Sequence, residues 1–156
     1  MELYREFFSL IEALNRKGLQ YSVVGGIALA FHSLPRFTRD IDLLAKPVDL
    51  ATYREILKEL GYSELSKPWT FQNTKITLHR FGKKSSEVDE ELIVVDLLIG
   101  NEDRHAEIIE KSITDESPAG RVRLARREDL IWMKQIRGSK QDEVDIDNLE
   151  NGNEQN

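Results

Sequence analysis

The sequence predicts an α/β fold in one domain, a mixed β-sheet flanked by helices. Three observations carry that expectation. Apolar residues recur at helical spacing near the N-terminus, at Leu3, Phe7, Leu10, Ile11 and Leu14. Helical and extended patterns then alternate in the order helix, strand, helix, strand, helix, strand, strand, helix. Leu92 to Ile99 is the most apolar run of the chain, interrupted only by Asp96, as expected of a central strand covered on both faces.

Each element has its own signal. The first helix, over 2–17, presents its apolar stripe to a sheet and stops at Gly18. Residues 20–24 form a short strand ending at Gly25-Gly26, and an almost wholly apolar helix over 27–34 follows. Asp40–Ala45 reads as the second strand. Pro47 and Asp49 open a helix whose inner stripe is Tyr53, Ile56, Leu57 and Leu60, ended by Gly61. Trp69 to Phe81 is strand-like, with Ile76 and Leu78 alternating against Thr77 and His79, and the polar stretch Gly82–Glu90 reads as an exposed hairpin loop. After the Leu92–Ile99 strand, Asn101 is expected to cap a helix running to Lys111. A Pro118–Gly120 turn leads to a strand over Arg121–Leu124 and a helix over 127–137. In the last helix Ser139 and Asp142 have capping-box spacing, and Asp142 and Asp145 share a face with Ile146 and Leu149, as capping and packing residues would. The domain is expected over 1–150, with NGNEQN at 151–156 as a disordered tail.

Composition excludes several classes. At 156 residues the chain suits a single domain with a full core. Its net charge of -6, with 32% charged residues, argues against a general nucleic-acid coat. There is no cysteine, which removes disulfides and thiolate metal sites. The opening MELYREFFSLIEAL carries charges through its apolar pattern, unlike a secretory leader, and no run approaches the roughly 18 apolar residues of a membrane helix. A soluble, cytoplasmic protein without membrane contact is expected.

The chemistry gathers between Val23 and Leu44. On a strand, Asp40 and Asp42 point to one face and place two carboxylates side by side. Such a pair repels itself unless a cation relieves it, either Arg36 or Arg39 nearby or a divalent metal. Asp96, alone in an apolar strand, needs a partner as well: an arginine or lysine, a backbone cap, or a metal shared with the other acids. Gly25-Gly26 at a strand-to-helix junction is either a tight turn or a place where backbone amides approach an anion. Lys134 lies on or beside the inward face marked by Leu130 and Ile131, where a lysine has an anionic partner, either a bound anion or a structural acid, or else snorkels to solvent. His32 reads as a structural histidine at the C-terminus of its helix, and His79 and His105 have no metal-ligand spacing. Arg121, Arg123, Arg126 and Arg127 form the one basic cluster, a solvated face or a surface for RNA or another anion.

The pattern Gly25-Gly26, apolar helix, His32, Arg36-x-Thr38, Asp40-Ile41-Asp42 and a later Asp96 resembles the signature of the nucleotidyltransferase superfamily, which shares its catalytic domain with DNA polymerase beta. The closing segment Glu128–Asp142 is similar to the end of its small branch, the minimal nucleotidyltransferases and the AbiEii-type toxins. Ser33 departs from the glycine found there in many relatives. The resemblance implies the nucleotidyltransferase fold and transfer of NMP from an NTP such as ATP to a hydroxyl of a small molecule, protein or RNA, with release of pyrophosphate. It implies Asp40, Asp42 and Asp96 as the catalytic ligands of two Mg²⁺ ions, with Asp96 also helping to deprotonate the acceptor hydroxyl. Gly25, Gly26, Arg36, Thr38 and Lys134 would bind the nucleotide. A cognate antitoxin or other partner protein is a further implication. The rival expectation is a catalytically silent protein of the same fold that binds nucleotide or a partner.

Overall fold

Alternating helices and strands assemble into an eight-stranded mixed sheet. The computed structural model describes residues 2–33, 38–117, 120–137 and 140–152. In chain order the elements are α1 (Glu2–Arg16), β1 (Ser22–Val24), α2 (Gly25–Phe31), β2 (Asp40–Ala45), α3 (Leu50–Glu59) after a 3₁₀ turn at Pro47–Asp49, β3 (Ser63–Glu64), β4 (Trp69–Thr70), β5 (Ile76–Lys84), β6 (Leu92–Gly100), α4 (Asp103–Glu110), β7 (Ile113–Ser117), β8 (Gly120–Leu124), α5 (Arg127–Arg137) and α6 (Lys140–Gly152).

The strands lie in the order β3-β5-β6-β2-β1-β8-β7, and β4 shares with β3 the outer edge of β5. β2 runs parallel to β6 and antiparallel to β1, while β1 meets β8 in parallel at Val23↔Leu124. Alternation sends Ile41, Leu43 and Ala45 to one face of β2, and all three are fully buried. The same alternation leaves Asp40 and Asp42 on the other face. The core also takes Phe7, Leu10, Ile11 and Leu14 from α1 and Tyr53, Ile56 and Leu57 from α3. Burial of such side chains supplies about 1.5–3 kcal/mol each, and it holds α1 across β2 and β8.

Several boundaries differ from the sequence reading. Gly25 and Gly26 belong to the first turn of α2, which ends at Phe31. Trp69 to Phe81 is not one strand: β4 and β5 are antiparallel neighbours joined by a turn in which Asn73 and Lys75 have φ of 66° and 51°. β5 continues through Lys84, so the exposed hairpin loop begins at Ser85 rather than Gly82. Two strands unforeseen in the sequence, β3 and β7, occupy the sheet edges. Asn101 does not cap α4. Glu102 does, donating its backbone N–H to Nδ1 of His105 at 3.3 Å. Helix α6 extends to Gly152, past the expected end of the domain at 150. Ser139, the side chains of Asp142 and Asp145, and residues 153–156 lie outside the described residues.

Candidate active site

Parallel pairing of β2 with β6 sets Asp42 directly opposite Asp96 and Asp40 opposite Val94. Since Asp40 and Asp42 share a face, the three carboxylates converge. They line a cleft of about 370 Å³ with Gly25, Gly26 and Arg80 at the charged end and Leu130, Met133, Lys134 and Arg137 of α5 along one wall. Trp69, Phe71, Ile76, Leu78 and Leu98 form its apolar end.

Asp96 is only 5% exposed, and its partner is an arginine. Nε of Arg80 donates to Oδ1 at 2.7 Å and Nη2 donates to Oδ2 at 3.0 Å, a bidentate pair across β5 and β6. Asp42 stands open to the cleft but is otherwise surrounded by protein. Desolvation first, then the charges of Asp96 and Asp40, push its carboxyl up to about 7, against the opposing charge of Arg137. The neighbouring Asp96 carboxyl adds to the same upward push through its side-chain contact with Asp42. Asp40 is also raised, by desolvation and by Asp96, with Arg80 and Arg39 pulling the other way.

The two glycines are required here by their neighbours. Gly25 has φ +71°, and a Cβ there would lie 2.0 Å from Oδ2 of Asp42. At Gly26 a Cβ would lie 2.7 Å from Oγ1 of Thr38. The β1–α2 junction and the acidic strand can touch only because neither residue has a side chain. Thr38 fixes the entry to β2 by donating Oγ1–H to Asp40 O at 3.2 Å. Arg36 lies outside the described residues. Lys134 is buried at 7% exposure and lines the same cleft as the acids.

The remaining candidates serve the scaffold. His32 is the C-cap residue of α2, and its Nε2 lies 2.9 Å from Ala125 O, so that nitrogen carries the proton. Arg127 donates to His32 O at 3.0 Å, and Arg123 donates to the carbonyls of Ile109 and Glu110. Arg126 pairs with the buried Asp129 and Arg121 with Glu116. Arg123 and Arg127 thus tie elements together, Arg126 pairs within its own turn, and Arg121 stays largely exposed in a surface ion pair. Sequence reasoning missed Arg80 and Arg137. Arg80 had a signal, since it continues the apolar alternation Ile76, Leu78 onto the same strand face. Arg137 follows Lys134 by one helical step.

Among the described residues, the cleft lining sets Asp40, Asp42 and Asp96 against Arg80, Lys134 and Arg137. A triphosphate entering it adds negative charge that bound cations would have to offset. Among the described residues, no group of three Asp, Glu, His or Cys side chains stands arranged to hold a metal ion. The donor chemistry nevertheless fits a hard cation. Asp40 and Asp42 are oxygen donors on one strand face, their carboxyls raised by desolvation first and then by neighbouring acids, and Asp96 would join them as a ligand only if Arg80 released an oxygen.

Comparison with solved structures places the fold. A protein from Thermotoga maritima assigned as a nucleotidyltransferase superposes with a TM-score of 0.63 at 14% identity, over 98% of this chain and 93% of that one. An antigenic nucleotidyltransferase-like protein from Paracoccidioides brasiliensis gives 0.63 at 19% identity, over 97% and 75%. The lincosamide antibiotic adenylyltransferase LnuA, bound to lincomycin, gives 0.56 at 17% identity, over 94% and 95%. No curated protein matches the chain. The family model for the nucleotidyl transferase AbiEii toxin of type IV toxin–antitoxin systems matches residues 11–137, a span that holds both glycines, all three acids and Lys134. The nucleotidyltransferase fold and the matched span agree, and the chain belongs to the AbiEii nucleotidyl transferase family.

Proposed function

We propose that the protein is a Mg²⁺-dependent nucleotidyltransferase that moves NMP from an NTP to a hydroxyl acceptor and acts as the toxin of a toxin–antitoxin pair. The observation that carries this is the register Asp42↔Asp96, which brings the acids of two separate strands into one cleft. Asp40 and Asp42 would hold Mg²⁺ from β2, and Asp96 would complete the set from β6. Bound Mg²⁺ would neutralise the triphosphate and clamp the attacking and leaving oxygens of an in-line displacement.

The chain's own residues supply the rest. Lys134 lines the same cleft from α5 and would hold the triphosphate, with the backbone amides of Gly25 and Gly26 meeting the β- and γ-phosphates. The acceptor oxygen attacks the α-phosphorus, the bond from that phosphorus to the bridging oxygen breaks, and pyrophosphate leaves with the electron pair. Asp96 would take the hydroxyl proton, which requires Arg80 to give up one carboxylate oxygen. Thr38 holds the strand entry in place, a positioning role. The acceptor is a small molecule, a protein side chain or an RNA end, and of the arginines of 121–127, Arg123 and Arg127 are held by backbone carbonyls of the scaffold.

Transfer of label from each α-labelled NTP to cell extract, with Asp40→Asn and Asp42→Asn as controls, tests the reading. Mg²⁺-dependent labelling that both variants abolish while keeping their thermal stability is expected. Labelling that survives both substitutions overturns the assignment. For the toxin role, induced expression should arrest growth and Asp40→Asn should not; harmless expression of the intact gene counts against it. The silent-binder alternative draws on the Arg80–Asp96 pairing, which neutralises one acid, and it expects NTP and Mg²⁺ to stabilise the protein without any transfer.

A further inference from the structure

The cleft does not end at its charged row. Along the same sheet face, the pair after Arg80↔Asp96 is Leu78↔Leu98, and β4 sets Trp69 opposite Leu78. Phe71 follows, its N–H donating to Ile76 O at 3.0 Å. The Trp69 and Phe71 rings meet edge to face, 6.2 Å between centroids and 78° between planes. The Arg80 guanidinium lies 5.8 Å from the Trp69 ring while binding Asp96. One side chain therefore joins the acidic row to an aromatic wall.

That wall is built to stay in place. Asn73 and Lys75 hold the left-handed backbone of the turn, a conformation that costs a lysine about 1–2 kcal/mol. The Thr74 hydroxyl donates to Phe71 O and accepts the Ile76 N–H, each at 3.2 Å. Asn101 at the end of β6 donates both its N–H and its Nδ2–H to Lys75 O at 3.1 Å. Despite this bracing Trp69 remains 39% exposed, a large indole face left to the cleft mouth. Counting two strand spacings sideways and one two-residue step along, Trp69 and Asp96 lie roughly 12 Å apart at Cα.

A ligand spanning this cleft needs a polyanionic end and a flat, π-bearing end. We propose that Trp69 and Phe71 receive the nucleobase of the donor NTP, with its triphosphate lying along the charged row. This rests on the nucleotidyl-transfer reading and names the part of the donor that the apolar end holds. Arg80 stands between the two ends, positioned beneath the sugar and α-phosphate. Stacking accepts every base, so the lip sets affinity more than base choice.

The test measures binding of ATP, GTP, CTP and UTP, and of inorganic tripolyphosphate, all with Mg²⁺, to the intact protein and to Trp69→Leu, Trp69→Phe and Phe71→Leu. The chain has two tryptophans, so quenching of emission by NTP that disappears in Trp69→Phe is assigned to Trp69. Trp69→Leu should weaken NTP binding about tenfold and leave tripolyphosphate binding unchanged, and Trp69→Phe should keep most of the affinity. The tripolyphosphate arm also shows whether loss of the indole has disturbed Arg80. Unchanged NTP affinity in both leucine variants overturns the lip and leaves nucleotidyl transfer standing. Failure of the intact protein to bind either NTP or tripolyphosphate overturns the functional reading, and the lip with it.

Discussion

Arg80 and Asp96 face each other across β5 and β6 and share two hydrogen bonds, so the acid that completes the carboxylate set is already held by a cation of the protein. Removing that cation leaves a buried carboxylate next to Asp42. Arg80→Met should lower the stability of the metal-free protein by about 1–3 kcal/mol. Under the proposed function, millimolar Mg²⁺ should restore part of that loss. Chemical denaturation with and without Mg²⁺ checks both statements, and an equal loss in the two conditions would show that no cation competes for Asp96.

Gly25→Ala combines a left-handed φ with a Cβ placed 2.0 Å from Oδ2 of Asp42. The expected cost is about 1–3 kcal/mol in stability. Because Asp42 must move, transfer activity should fall by about 100-fold. Gly26→Ala meets the Thr38 side chain instead and should cost less activity at a similar loss of stability. Urea midpoints and single-turnover rates on the two variants separate the effects.

His105 gives the fold a pH dependence away from the cleft. It is buried, its Nδ1 accepts the Glu102 N–H, and its Nε2 has no hydrogen-bond partner among the described residues. Burial lowers its pKa below the ordinary 6.5, outweighing the attraction of Glu102. The unfolded chain therefore binds the proton more readily, and stability falls as pH drops below about 6.5. His105→Asn should flatten the slope of melting temperature between pH 7.5 and 5.5. An identical slope in variant and parent would remove His105 as its source.

Ser33 sits at φ 63°, just past α2, exposed and in the region that favours glycine. Ser33→Gly should stabilise the protein by about 1 kcal/mol, readable as a rise in melting temperature. The serine at this position is thus a small local strain, away from the acids.

The acids of the site were legible because each obeys a local rule. Asp40 and Asp42 share a strand face by their spacing, and Asp96 stands out as a charge inside an apolar run. Their convergence was conditional on which strands became neighbours, a fact of topology rather than of spacing. Arg80 stayed hidden because its partner is a strand away, and a charged residue near a loop reads as solvated. The β4–β5 turn went unread because Asn73-Thr74-Lys75 contains neither the glycine nor the proline that punctuates most turns. β7, Ile113–Ser117, is a polar edge strand, without the apolar alternation that betrays a half-buried one. Trp69 looked like one more strand residue until β4 placed it over the cleft.

The attachment of α5 has a consequence for how the protein is made. Leu124 pairs with Val23, Ala125 donates to Val23 O at 3.1 Å, and His32 reaches Ala125 O. The wall carrying Leu130, Met133, Lys134 and Arg137 is therefore hung from the first third of the chain by its last third. A ribosome adding about 5–20 residues per second exposes both glycines and all three acids before that wall exists. Translation must therefore pass Arg137 before the cleft can close, and a premature stop upstream of Leu130 yields a product with the three carboxylates and without the α5 wall.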